Sequence, residues 1–424
     1  MDRRSWLPED LRAYHRGLIL RLLGDEGPLT RRDLAQRSGL SIPTAASIVT
    51  ELVTAGHLIE SPSGTGRPGP RGPRANLLAL ARHAHLVLAV ELSSTQVRIG
   101  LGDLSGVVSE VASAPVPRGS GPAQLLDIAV AAATPLVRSA GDRLIGAGVC
   151  VPGPVDADGR RSLLSLALGW RDVPVAERFE EAFEVPTVVE YNVRAMALAE
   201  ARHGLGLRAE NLLYVHLGES LGFAFVVDGL AFRQGAHGVS ELGHHRVAER
   251  GPRCSCGAIG CLEAVLGGPY LRQRIREAAR EDPDLAQLVR RKLPLLDLID
   301  QAGSVPGSPV GQILDDVIEH LSTAVALCVN VFSPTRVALG GELATAPKDL
   351  LDRLRETTLD KVSRLLRDQV NVERSEIGRY PGVLGAGTVA LDRLFYQDQP
   401  PTVATRGSRR TRPAWATTSE AAVN

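Results

Sequence analysis

From His85 to Phe395 the chain alternates short apolar runs with longer segments whose apolar residues recur every three or four positions. HLVLAVEL (85–92) has the length of a strand, SST (93–95) is a tight turn, and QVRIGLGDL (96–104) is an alternating strand closed at a Ser-Gly turn. Much later the order repeats: NLLYVHL (211–217), the turn GESLG (218–222), then FAFVVDG (223–229) followed by LAFRQ. Long helical patterns follow each unit, AQLLDIAVAAATPLVRSA (123–140) and GQILDDVIEHLSTAVALCVNVF (311–332). GAGVCVPGPVDADG (146–159) reads as a strand running into a Pro-Gly-Pro turn. Two similar α/β halves predict a cleft between them, where small ligands usually sit.

Upstream the periodicity is helical only. RGLILRLLGDEG (16–27) carries apolar residues at helical spacing. In PLTRRDLAQRSGL, Thr30 and Asp33 form a capping-box pattern that opens a second, short helix. Gly39 supplies a turn, and Ser41 is placed to cap a third helix with Pro43 in its first turn and Gly56 just past its end. HLIE (57–60) begins a small β-wing. This is the layout of a winged helix-turn-helix, whose third helix enters the major groove with its N-terminal residues first. Those residues are Ser41, Ile42, Pro43, Thr44 and Ser47, small enough to allow close approach to the bases. Arg31 and Arg32 start the second helix near the phosphates, and Arg67, Arg71 and Arg74 lie in the wing or linker, within reach of phosphates or a minor groove. A helical bundle for protein contact, with its arginines simply solvated, is the competing account. The caps, the Gly turn and the Arg-Gly-Pro segment together favour DNA.

Composition adds limits. A chain of 424 residues holds two or three domains. SPSGTGRPGPRGPRAN (61–76) cannot be regular helix or central strand, and the polar, aperiodic end over 397–424 is expected to be a disordered tail. Basic and acidic residues balance at 48 each, which argues against a general polyanion binder but leaves room for a local basic patch. Lysine occurs only at 292, 348 and 361, which reads as coding bias rather than chemistry. MDRRSWLPEDLRAYHRG is followed by no apolar run, so it is not a secretory signal, and no run approaches the length of a membrane span. The expected location is the cytoplasm, where thiols stay reduced. That makes disulfides a poor account of CSCGAIGCLE (254–263), which puts three of the five cysteines within eight positions.

Taken with GAHGVSELGHH (235–245), these segments resemble the ROK family of repressors, open reading frames and kinases. The resemblance covers nearly everything from Tyr14 to Phe395, and its most specific motifs are VPGPVD, ELGH and CxCGxxGCxE. It implies an actin-like, ribonuclease-H-like duplicated α/β body. The winged-helix head places the chain with the regulators of that family, not its free sugar kinases. The family binds zinc at positions matching His244, Cys254, Cys256 and Cys261, a closed Cys₃His set of the structural type. His245 and His237 compete for the fourth place, and the ELGH match favours His244. Cys150 and Cys328 sit on apolar segments and are expected in the core. The family's sugar contacts fall on Glu241, His244 and Glu263; carboxylates accept two hydroxyls at once, and the metal fixes the histidine.

The same resemblance shows departures from a kinase. The family's Asp-x-Gly-Gly-Thr phosphate turn reads Glu91-Leu92-Ser93-Ser94-Thr95, with both glycines gone. The second phosphate turn reads Gly218-Glu219-Ser220-Leu221-Gly222-Phe223, adding a negative charge and bulk. Where the kinases have Glu-Asn-Asp, with Asp as general base, this chain has Glu190-Tyr191-Asn192, and an amide cannot take the proton. Gly340 and Gly341 persist in the region the family uses near adenosine. The Pro-Asn before Leu-Gly-Trp is Leu166-Ala167 here, so part of the sugar contact set is absent, while Asn192 can still donate a hydrogen bond.

The sequence therefore predicts a zinc-containing transcriptional repressor without catalysis. Its expected divisions are a DNA-binding head (1–76), a first lobe (77–190, completed by about 381–396), a second lobe with the zinc loop and dimerisation helices (191–380), and the tail. Operator DNA, a sugar-like effector and a homodimer or homotetramer are the expected partners, with no membrane. The alternatives are an active sugar kinase with a regulatory head, and a DNA-binding dimer that answers to no ligand.

Overall fold

A computed structural model describes residues 8–62, 76–233, 241–291, 293–303 and 308–396. Arg67, Arg71, Arg74, His237 and the expected tail lie outside the described residues.

The head contains α1 (Pro8–Glu26), β1 (Leu29–Thr30), α2 (Arg31–Ser38), α3 (Ile42–Thr54), β2 (Leu58–Pro62) and β3 (Asn76–Leu80). Thr30 and Asp33 close a reciprocal capping box on α2, and Gly39 ends that helix at φ 69°. The Ser41 side chain accepts the Thr44 amide and caps α3. Ala45, Ile48, Val49 and Leu52 bury one face of α3 in a cluster with Ile19, Leu20 and Leu23 of α1 and Leu34 of α2. β3 pairs antiparallel with β1 and β2, so the wing sheet runs past residue 76 to Leu80. Sequence pattern does not mark this strand, because its partner lies across the Gly/Pro/Arg segment with no local turn to announce it.

The body is a duplication. The first unit holds β4 (Leu86–Leu92), β5 (Gln96–Asp103), β6 (Val108–Pro115), α4 (Pro122–Ala140), β7 (Leu144–Val151), the hairpin β8 (Ser162–Ser165) and β9 (Trp170–Val173), α5 (Val175–Phe183) and β10 (Thr187–Tyr191). Helix α6 (Asn192–His203) leads into the second: β11 (Asn211–Leu217), β12 (Leu221–Val227) and β13 (Leu230–Ala231). There follow α7 (Leu262–Leu266), α8 (Gly268–Ala278), α9 (Pro283–Arg290), α10 (Leu295–Gly303), α11 (Pro309–Phe332), β14 (Arg336–Gly341), α12 (Glu342–Thr345), α13 (Lys348–Lys361), α14 (Arg364–Arg367) and β15 (Asn371–Arg374). The sheets run β6-β5-β4-β7-β10 and β13-β12-β11-β14-β15. In each, the first three strands are antiparallel and the last two join in parallel. Matching order and direction are the duplication that the strand–turn–strand repeat predicts.

The last helix, α15 (Pro381–Ala390), returns to the first sheet and packs on β4, β7 and α6. Its continuation, Leu391–Tyr396, meets the head: Leu391, Phe395 and Tyr396 share one apolar cluster with Ile19, Leu20 and Leu23. Within this junction Arg21 pairs with Asp392, which Arg202 approaches at 3.5 Å. The Arg21 guanidinium lies 3.8 Å from the centre of the Tyr396 ring, and the Tyr396 hydroxyl donates to the Leu104 carbonyl at 2.6 Å. Head and body thus meet through buried ionic and apolar contacts.

Candidate functional site

The metal loop is built by short turns. Leu242–His244 forms one helical turn after β12, and Arg246 and Arg253 each make an isolated bridge, to Cys261 and Ile259. Gly257 and Gly260 hold φ of 94° and 75°, a backbone that L side chains rarely adopt; at Gly260 a Cβ would meet the Ala248 carbonyl oxygen at 1.9 Å. These turns bring His244, Cys254, Cys256 and Cys261 together, with donor atoms all within 4.8 Å of one another. Cys254 Sγ lies 3.4 Å from His244 Nδ1, and Cys256 Sγ lies 3.7 Å from Cys261 Sγ. A tetrahedral ion with metal–sulfur bonds near 2.3 Å sets sulfurs about 3.8 Å apart and sulfur–nitrogen edges near 3.6 Å. The donors therefore already fit a four-coordinate cation. Burial and the neighbouring thiols of Cys256 and Cys254 push the Cys261 thiol up to about 12, a cost that a bound dication reverses. His245 stands outside this donor set, while Cys150 and Cys328 are buried in the core.

The candidate effector pocket adjoins that loop. His244 turns Nδ1 to Cys254 and Nε2 to Glu241 Oε2, 3.4 Å away, the carboxylate–imidazole–metal order that fixes a ring in place. Glu263, in the first turn of α7, accepts from Ser255 Oγ at 3.4 Å. Tyr191 at the end of β10 feels the carboxylates of both Glu241 and Glu263: burial pushes its phenol up and the two charges add to this. Burial likewise raises the Glu241 carboxyl, with His244 opposing it. Asn192 opens α6 beside Tyr191, and its Oδ1 accepts the Val193 amide at 2.9 Å. Tyr191 of β10, Glu241 of the metal loop and Glu263 of α7 thus lie close enough to act on one another, and only the metal loop among them is marked by cysteine spacing.

Arginines that the sequence motifs do not single out pair with Glu190 and with the acidic residues of the phosphate turns. Glu190 is buried and paired with Arg194, whose Nε donates to it at 2.8 Å, and with Arg233 at 3.3 Å. Glu91, in the first phosphate turn, is paired with Arg98 at 2.9 Å, its cross-strand neighbour in the β4–β5 register. At the second turn, Arg272 of α8 reaches Glu219 at 3.3 Å and Glu342, just past Gly341, at 3.2 Å. The i, i+4 spacing of Glu190 and Arg194 and the hairpin register of Glu91 and Arg98 are signals a sequence does offer. Arg233 and Arg272 act across the fold and have none.

On the head, Ser41, Ile42, Pro43, Thr44 and Ser47 all lie on the exposed face of α3. Arg31 makes two hydrogen bonds to Glu60 of the wing strand, one of them at 3.0 Å, so the structure ties it to β2 at the start of α2. Arg32 beside it is exposed. No helix among the described residues is long and apolar enough to cross a membrane.

Comparison with known proteins follows the same two parts. The ROK family profile matches residues 87–393, and a winged helix-turn-helix DNA-binding profile matches residues 14–56. The chain belongs to the ROK family and carries a winged-helix DNA-binding head. It is 27% identical over 367 residues to the N-acetylglucosamine repressor of Escherichia coli O6:H1, covering 85% of this chain and 88% of that one. A ROK family transcriptional regulator described as a homologue of the E. coli Mlc protein superposes with a TM-score of 0.75 at 22% identity, over 92% of this chain and 98% of its own. A ROK glucokinase from Streptomyces griseus superposes on the body with a TM-score of 0.62 at 23% identity, over 72% of this chain and 98% of its own. Both superpositions describe the fold.

Proposed function

We propose that the protein is a cytoplasmic, zinc-containing transcriptional repressor that binds operator DNA and releases it when a sugar or sugar derivative enters the body. The observation that carries this reading is the exposed first turn of α3 on a head seated against a sugar-kinase-like body. Zinc suits the donor set, because three thiolates and one imidazole fill a tetrahedral shell and leave no open position for water. Its role is structural: it holds His244, which in turn orients Glu241 toward the hydroxyls of a bound sugar. Glu263 and Asn192 complete the contact set, and burial of ring faces against Tyr191 excludes water.

Catalysis is absent in this reading. Asn192 stands where a general base is required, and an amide holds no proton-accepting pair of comparable basicity. The turns that match the kinases' phosphate turns are also occupied by internal ion pairs: Arg98 holds Glu91, and Arg272 bridges Glu219 and Glu342. The copies assemble as dimers through an apolar patch formed by Leu327, Val331 and Phe332 of α11, with Leu365 of α14, each at least 44% exposed. Paired heads then read two half-sites.

A thermal-shift screen of the zinc-loaded protein against free sugars, amino sugars and sugar phosphates tests this directly. An effector at a hundred times its Kd stabilises the fold by about 2.7 kcal/mol. The same compound is expected to weaken DNA binding, and a coupled ATP assay over the panel is expected to show no turnover. Turnover on any sugar would overturn the non-catalytic reading, and a panel without a single stabilising compound would remove the effector-sensing part of the proposal.

A further inference from the structure

The DNA-reading helix has an unusual inventory. α3 reads IPTAASIVTELVT and contains no Arg, Lys, Asn or Gln, the side chains that make paired hydrogen bonds to guanine or adenine edges. Its one charged residue, Glu51, is engaged by Arg12 through bonds of 2.7 and 3.1 Å. Most hydroxyls on the exposed face have a hydrogen-bond partner within the helix or its cap. Ser41 and Thr44 bond each other at 2.7 Å, Thr50 donates to the Ala46 carbonyl at 2.9 Å, and Thr54 to the Thr50 carbonyl at 2.8 Å. What the first turn presents outward is apolar: Ile42, 65% exposed, with the ring of Pro43 beside it. The buried face of the helix is already complete with Ala45, Ile48, Val49 and Leu52, so Ile42 has no role in the head's core.

Of the four bases, thymine alone offers an apolar group in the major groove, its C5 methyl. We infer that α3 reads thymine by that methyl, with Ile42 as the specificity-determining residue, and that each operator half-site carries thymine where the first turn of α3 docks. This rests on the proposed DNA-binding function and names the chemistry its recognition helix selects. Guanine and cytosine at that position leave their polar edges against the Ile42 side chain, which cannot satisfy them, and this adds discrimination by penalty.

The test begins with selection of binding sites from a randomised duplex library by the full-length, metal-loaded protein. Thymines in the selected half-sites are then replaced one at a time by uracil, which removes only the methyl. At the contacted position the loss in affinity is about fourfold per half-site, the value of one buried methyl, and roughly fifteenfold when both half-sites change. The Ile42→Ala variant is expected to bind thymine and uracil duplexes alike, while Ile42→Val restores most of the difference. An unchanged unfolding midpoint confirms that both variants are folded, as an exposed side chain requires. Enriched sites that bind equally well with uracil, or a uracil penalty that survives in Ile42→Ala, overturn this inference alone. A library from which nothing is enriched overturns the DNA-binding reading and this inference with it.

Discussion

Single side chains decide two properties that can be measured apart. His244 and His245 are adjacent, yet only His244 faces Cys254. His244→Ala is therefore expected to lose most of its capacity to bind a metal ion, whereas His245→Ala keeps it; elemental analysis of the purified variants checks this. His216, at the end of β11, stacks on Tyr214 with ring centres 6.4 Å apart, and burial pulls its pKa down to about 4 from an ordinary 6.5. The unfolded chain then binds the proton more readily than the folded one. This contribution is complete above pH 6.5 and is lost as pH falls toward 4, with a slope of at most about 1.4 kcal/mol per pH unit. Melting curves from pH 4 to 7 are expected to show that slope reduced in His216→Gln, a comparison that separates it from acid release of the metal.

Elements differ in how openly the sequence declares them. The caps of α2 and α3 depend on residues three positions apart, so Thr30, Asp33 and Ser41 announce both helices within a single turn of chain. Ser41→Ala removes the side-chain acceptor of the Thr44 amide and is expected to cost the head about 1 kcal/mol, visible as a lower denaturant midpoint. The metal loop is legible for a similar reason: its donors come from short-range spacing and its glycines mark the turns. Strand β3 is hidden because its partner lies across a segment with no turn signal, and the wiring of Arg233 and Arg272 is hidden because their carboxylates are remote in sequence. Local chemistry can be read along a chain; charge neutralisation inside a cleft requires knowing what faces what.

At the scale of the molecule, the head is held by a chain end. Asp392 lies between Arg21 of the head and Arg202 of α6, with side chains only 4%, 10% and 13% exposed. Asp392→Asn removes the buried negative charge that lies between the two guanidinium groups and is expected to destabilise the protein by about 3–5 kcal/mol. Calorimetry is expected to show the head unfolding ahead of the body, and a single transition at the original temperature would contradict this. Helix α6 carries Asn192 of the proposed effector pocket at one end and Arg202 of this junction near the other, about 15 Å apart at about 1.5 Å per residue, so one rigid element links the two. The return of α15 to the first sheet also sets an order of events during synthesis. The strands of the second lobe are all made by Arg374, while the lobe made first still awaits the helix that covers β4, β7 and α6. On the ribosome the younger lobe can finish before the older one, and the DNA-binding head, though first to emerge, receives its seat last.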